Sequence, residues 1–150
     1  MVTLIREVEA GDAERVAALL GELGYPSTPE RVRERLATWL GDRHSRVLVA
    51  TTANQQVVGC LSVHAVPYLE RDGRWARIES LVVTESARGT GVGSALLKAA
   101  ETAAREWKCD GMEVTSHRSR EQAHTVYRHV GYEDVCDRGA RFWKPLHQSA

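Results

Sequence analysis

The sequence predicts a single mixed α/β domain over residues 1–150, a twisted, mostly antiparallel sheet of about seven strands flanked by four helices in the order βααβββαβαββ. Three observations lead there. The 150 residues are 43% hydrophobic and 27% charged, the balance of a chain that builds one core. Apolar residues alternate with period two in some segments and recur at helical spacing in others, with no internal repeat, low-complexity tract or long linker. Finally, "LVV…RGTGVG…LLKAA…MEV" reads as strand, turn, helix and strand, the unit that places parallel neighbours in a sheet.

In chain order, "TLIREVE" alternates as a strand, and Val16, Leu19, Leu20 and Leu23 form a helical stripe behind a capping Asp12. Thr28 caps a second helix with Pro29 in its first turn and Val32, Leu36, Trp39 and Leu40 on one stripe. "RVLVATT", "QVVGCLSVHAVPY" and "RWARIESLVV" are β-branched and apolar, divided by turn-formers at Asn54 and at Asp72-Gly73, and predict an antiparallel meander. Val92, Leu96, Ala100, Ala103, Ala104 and Trp107 predict a third helix, and "GMEVTS" a short strand. Ala123, Val126, Tyr127 and Val130 line a fourth helix closed by Gly131. "YEDVC" and "ARFWKPL" predict the last two strands.

Twenty basic and twenty acidic residues cancel, which removes the field-driven case for a nucleic-acid or anionic-membrane partner. Residues 1–20 carry charges inside every apolar stretch and read as neither signal peptide nor membrane span, so the expected compartment is the cytoplasm. Cys60, Cys109 and Cys136 are odd in number and widely spaced, and are expected to be buried thiols. The histidines show no metal-ligand spacing, and no metal is expected.

Arg88, Gly89, Gly91 and Gly93 crowd into a turn between a strand and a helix. Such a turn offers several backbone N–H groups at the positive end of a helix dipole, where phosphate oxygens bind, and Arg88 adds a fixed positive charge. A Walker loop is excluded because no Lys precedes Ser94. A dinucleotide fingerprint starting at Gly89 loses its third glycine to Ser94 and lacks the acidic residue for a ribose. What remains is R-x-x-G-x-G, filled by Arg88, Gly91 and Gly93 after "IESLVV".

That turn resembles the signature [RQ]-x-x-G-x-[GA] of the GNAT superfamily of acyl-CoA-dependent N-acyltransferases. "REQAHTVYRHVGYEDV" is similar to the family's later motif A-x-x-x-Y-x-x-x-G-[FY], at Ala123, Tyr127, Gly131 and Tyr132. The element order is also the family's. The resemblance implies that Arg88, Gly89, Thr90, Gly91, Val92, Gly93 and Ser94 hold the pyrophosphate of acetyl-CoA, and that the backbone of Leu81, Val82 and Val83 pairs with the pantetheine arm as an added strand would. It implies an N-acetyltransferase that acts by direct attack of a primary amine in a ternary complex; the alternative is a non-catalytic acyl-CoA-binding or sensing domain.

Transfer from a thioester to an amine needs a neutral amine, a stabilised oxyanion and a protonated leaving thiolate. Glu79 is a charge inside an apolar strand, and desolvation there would make it a better base; its structural alternative is a solvated charge or a partner for Arg77. Tyr127 stands where the family's general acid sits, and a phenol can reprotonate a thiolate; alternatively it is a core tyrosine. Arg120 and His124 share that helix's neighbourhood and are expected near the cofactor, with Arg120 standing where many members carry Asn. The oxyanion donor is a backbone N–H near Leu81 or Val82. Tyr25, Trp39, Tyr68 and Trp75 line the segments expected to enclose a small-molecule amine, or serve equally as core or homodimer contacts. Glu70 and Asp72 are offset by Arg71 and Arg74 and select no acceptor.

Overall fold

The computed structural model describes residues 3–147. The chain divides into two compact units, Met1–His117 and Arg118–Ala150. The first contains β1 (Leu4–Glu7), a 3₁₀ turn at Ala10–Asp12, α1 (Ala13–Leu23), α2 (Pro29–Leu40), β2 (Ser45–Thr51), β3 (Val57–Pro67), β4 (Arg74–Val83), a 3₁₀ turn at Glu85–Ala87, α3 (Val92–Glu106) and β5 (Met112–Val114). The second contains α4 (Glu121–His129) and a 3₁₀ turn at Cys136–Arg138. The sheet order is β1-β2-β3-β4-β5, antiparallel throughout except for the parallel β4–β5 pair that closes the crossover through α3.

Four helices form as the sequence predicts, but the described residues hold five strands rather than seven. "YEDVC" becomes irregular chain leading into the 3₁₀ turn at Cys136–Arg138, and "ARFWKPL" has no regular structure. β-propensity expresses fit to a pleated, half-covered surface. Val135, Phe142, Trp143 and Leu146 are instead exposed, so the cover that would reward a strand is missing. Leu40 is likewise exposed, one position beyond the turn of α2 that reaches the core. Of the cysteines only Cys60 is buried, its thiol pushed up to about 12 by burial; Cys109 is half-buried and Cys136 exposed. No helix among the described residues is long and apolar enough to cross a membrane.

Local chemistry accounts for the helix ends. Thr28 Oγ accepts from the Arg31 N–H at 3.3 Å, with Pro29 supplying a preset φ at the first position. Gly24 ends α1 in the left-handed region at φ 105°. Asp12 does not cap α1 with its side chain as predicted. Its carboxylate takes both Arg6 guanidinium nitrogens, at 2.8 and 3.0 Å, and the Glu9 N–H at 2.8 Å, tying β1 to the start of the helix.

The two faces of the sheet are covered differently. Val16 and Leu19 of α1 and Val32 and Leu36 of α2 pack on Val47, Val49, Cys60 and Val82. On the other face α3 packs tightly on Gly59, where an added Cβ would lie 3.0 Å from Leu96 Cδ1, 3.1 Å from Val92 Cγ1 and 3.3 Å from the Val82 carbonyl oxygen. Leu96 and Leu97 are fully buried, each such side chain contributing about 1.5–3 kcal/mol. The missing side chain of Gly59 therefore sets how close the first turn of α3 comes to the end of β4.

Two predictions follow from this packing. Gly59→Val should cost about 1–3 kcal/mol through overpacking, read by denaturant unfolding; unchanged stability would contradict the contact. The Asp12 carboxyl is held below its usual 3.8, chiefly by the hydrogen bonds from Arg6, with burial opposing and the Glu9 N–H assisting. A folded pKa below the unfolded value gives stability that is complete above about pH 4 and is lost as pH falls through the folded pKa. Asp12→Asn should thus lower stability at neutral pH and flatten the acid limb of the stability–pH curve.

Candidate active site

The site is built around β4. Its register with β3 runs Val63↔Ile78 and then Ser62↔Ser80, so Glu79 is an extra residue that forms a β-bulge. The bulge takes Glu79 out of strict alternation. On the other side, pairing with β5 ends at Ile78↔Val114 while β4 runs on to Val83. The Thr84 N–H donates to the Val58 carbonyl at 2.9 Å, which turns the amide and carbonyl of Val83 to the edge away from β3. There the Val83 carbonyl accepts from Arg88 Nε at 3.0 Å.

Along one face of the sheet the polar side chains join into a continuous series. Tyr68 stacks on Trp75 with ring centres 4.9 Å apart, and Trp75 Nε1 donates to Glu113 Oε1 at 3.0 Å. Arg77 lies between two carboxylates, 3.6 Å from Glu113 Oε1 and 3.2 Å from Glu79 Oε1. His64 Nε2 is 3.1 Å from the same Glu79 oxygen, and the His64 ring meets Trp39 of α2 edge-on at 5.8 Å. Glu79 is 40% exposed and pairs with Arg77, which matches the solvated-charge alternative of the sequence reading and not the desolvated one; the bulge lifts the carboxylate out beside Arg77 and His64. Trp39, Tyr68 and Trp75 thus border the series as a set. Tyr25 is separately exposed after α1, and Arg71 covers the Tyr68 ring at 4.0 Å.

Beyond Val83 the chain makes the glycine turn. Gly89 and Gly91 adopt φ 76° and 89°, a region that favours glycine, and nothing lies within 4 Å of where a Cβ would stand on either. Their requirement is conformational, and the space before the turn is open. Gly91 is the N-cap of α3 and offers no side-chain cap; the Ala95 N–H closes the first helical bond on the Gly91 carbonyl at 3.0 Å. The N–H groups of Val92, Gly93 and Ser94 then have no acceptor within the helix. An anion in the open space meets these donors and the helix dipole together, so the residues fit a diphosphate. Thr90 Oγ donates to the Ala87 carbonyl and braces the turn from within.

Sequence reasoning missed Glu22, in the last turn of α1. Its carboxylate accepts from Thr84 Oγ at 2.8 Å and from the Glu85 N–H at 3.0 Å, and lies 3.9 Å from Arg88. One side chain thereby fixes the segment entering the glycine turn. His64 and Glu113 were missed as well, because their partners come from neighbouring strands.

In the second unit, Tyr127 is buried on α4, with the rings of His124 and Tyr132 each 6.3 Å from its own. Arg120 is the N-cap of α4, its carbonyl accepting from the His124 N–H at 3.1 Å. Gly131 follows the helix at φ 100°, as predicted for its end. His124 and Tyr127 thus belong to α4 and Arg120 to its N-cap, whereas Glu79 and residues 81–94 belong to the sheet unit.

The mixed sheet's fourth strand outruns its parallel neighbour and leads through a glycine turn into α3, the arrangement that the resemblance to the GNAT superfamily implies. Comparison with known proteins makes the assignment specific: the acetyltransferase (GNAT) family model matches residues 13–132, and the chain belongs to that family. Enzymes of the family use acetyl-CoA as cosubstrate. The chain is 29% identical over 148 residues to an aminoglycoside N(6′)-acetyltransferase type 1 of Klebsiella aerogenes, covering 95% of this chain and 97% of that protein. It is 31% identical over 134 residues to an aminoalkylphosphonate N-acetyltransferase of Salmonella typhimurium, covering 86% and 84%. A crystal structure described as a transcriptional regulator from Bacillus halodurans superposes with a TM-score of 0.83 at 25% identity, over 98% of this chain and 100% of that one.

The Glu22 clasp generates a prediction. Glu22→Ala should raise the KM for acetyl-CoA about three- to tenfold with little change in kcat, the pattern of lost binding rather than lost chemistry. Glu22→Gln, which still accepts from the Glu85 N–H, should recover most of the loss. Equal KM values in all three proteins would contradict the assignment.

Proposed function

We propose that the chain transfers the acetyl group of acetyl-CoA to the primary amine of a small-molecule acceptor, by direct attack in a ternary complex. The observation that carries this reading is the bulged Glu79 on β4, set just before a strand edge that β5 leaves and a glycine turn open to an anion. The two N-acetyltransferase relatives are named for small amine acceptors, an aminoglycoside and an aminoalkylphosphonate, which supports the same acceptor class here.

In this reading acetyl-CoA supplies the activated thioester. Arg88 and residues 89–94 hold its pyrophosphate, with Arg88 exchanging its bond to the Val83 carbonyl for phosphate oxygens. The backbone of Leu81, Val82 and Val83 aligns the arm, and an N–H there meets the developing oxyanion. Glu79 takes the amine's proton, directly or through a water, as the new N–C bond forms and the C–S bond breaks. Tyr127 gives a proton to the departing thiolate, and Arg120 and His124 adjoin the cofactor from α4. Trp39, Tyr68 and Trp75 enclose the acceptor. The reading places the enzyme in the cytoplasm, in keeping with three free thiols.

Two measurements test it. Calorimetry should show acetyl-CoA binding to the wild type and none to Gly91→Glu, which puts bulk and like charge into the turn; unchanged affinity would remove the site. Tyr127→Phe should lower kcat for thiol release about 100-fold with acetyl-CoA KM nearly constant, as expected for loss of a general acid. Should no primary amine accelerate thiol release above background hydrolysis, the acyl-CoA-sensing alternative takes its place.

A further inference from the structure

We infer that His64 is a positioning residue for the reaction: it fixes one oxygen of Glu79 so that the other is presented to the amine. The inference rests on the reading of Glu79 as the base. An ionised carboxylate only accepts hydrogen bonds, so the proton of the 3.1 Å contact lies on His64 Nε2, assigned from its partner. Arg77 Nε lies 3.2 Å from the same atom, Oε1, as an ion pair without a hydrogen bond. Both partners therefore converge on one oxygen, and among the described residues no hydrogen bond ends on Oε2. A bulged, half-exposed glutamate would otherwise sample several rotamers. Held at Oε1 by the His64 hydrogen bond, with the Arg77 charge beside it, the carboxylate presents its other oxygen in a defined direction.

His64 is itself fixed. It stands opposite Arg77 in the β3–β4 register, and its ring is braced edge-on by Trp39 at 5.8 Å. The charged groups that act on it are Arg77 and Glu79 of β4 and Asp42, just beyond α2. Arg77 alone would be a poor anchor, because it is shared with Glu113 at 3.6 Å and pulls toward β5. His64 pulls from the opposite strand. His64 supplies the one directed hydrogen bond to Oε1 and Arg77 adds charge without a hydrogen bond, so the direction of the carboxylate depends on His64, and well-placed catalytic groups depend on such support to within about 0.5 Å.

Steady-state kinetics with acetyl-CoA and the primary amine that the wild type turns over fastest, on His64→Leu, His64→Gln, Glu79→Gln and His64→Leu/Glu79→Gln, tests the inference. His64→Leu should lower kcat about tenfold with acetyl-CoA KM within about twofold, and His64→Gln, whose amide can still donate to Oε1, should recover most of it. In the Glu79→Gln background the His64 change should add nothing, since the two act as a unit. In the folded wild type, ¹⁵N NMR should show the proton on Nε2. Full activity of His64→Leu, failure of Gln to rescue, or losses that add with those of Glu79→Gln would overturn the positioning role while leaving Glu79 as base. Full activity of Glu79→Gln would instead remove the base and the role of His64 with it.

Discussion

The structure turns on an unequal pairing of β4. One edge is bonded to β3 along its whole length, and the other is bonded to β5 only as far as Ile78. A strand inside a sheet carries N–H and C=O groups that must find partners. Where β5 departs, such groups turn to water, to the protein's own side chains or to a ligand. Arg88 illustrates the second solution at the Val83 carbonyl. An amide-bearing cofactor arm would be the third, and the helix that carries the chain from β4 to β5 begins at that place.

The bulge at Glu79 follows from the same strand. Ile78 has to face the core under α3, where it is fully buried, and Val82 has to face α1 and α2. An extra residue between them lets the ladder absorb an irregularity without burying a carboxylate. Charge is then settled laterally: Arg77 lies between Glu79 and Glu113, and His64 approaches from β3. The apolar cover of α1 and α2 extends over Cys60 and Val82, with Trp39 at its limit against His64. The polar series is therefore placed where the hydrophobic cover ends, and the glycine turn is placed where α3 meets β3 at Gly59.

Much of this was legible in the sequence because it is local. The stripe of Val92, Leu96, Ala100, Ala103 and Ala104 is buried as its spacing predicts, and the alternation of Gly89 and Gly91 corresponds to two left-handed residues beside a helix start. What failed depended on distant partners. "ARFWKPL" has the composition of a strand, but Phe142 and Trp143 have no surface to cover. Glu79 looked like a buried charge because its neighbours in sequence are apolar, whereas a one-residue shift against β3 exposes it. His64, Glu22 and Gly59 gave little signal of their own. Their contacts reach across strands or from helix to loop, and no short window of sequence contains both members.

The central claim is that acetyl-CoA lies along β4 beyond Ile78 and over the first turn of α3. Amide hydrogen exchange with and without acetyl-CoA tests it residue by residue. The account predicts new protection at Val83 and at Val92, Gly93 and Ser94, with little change at Thr84, already bonded to β3. Exchange unaltered at Val83 and at the start of α3, with protection confined to other strands, would contradict it.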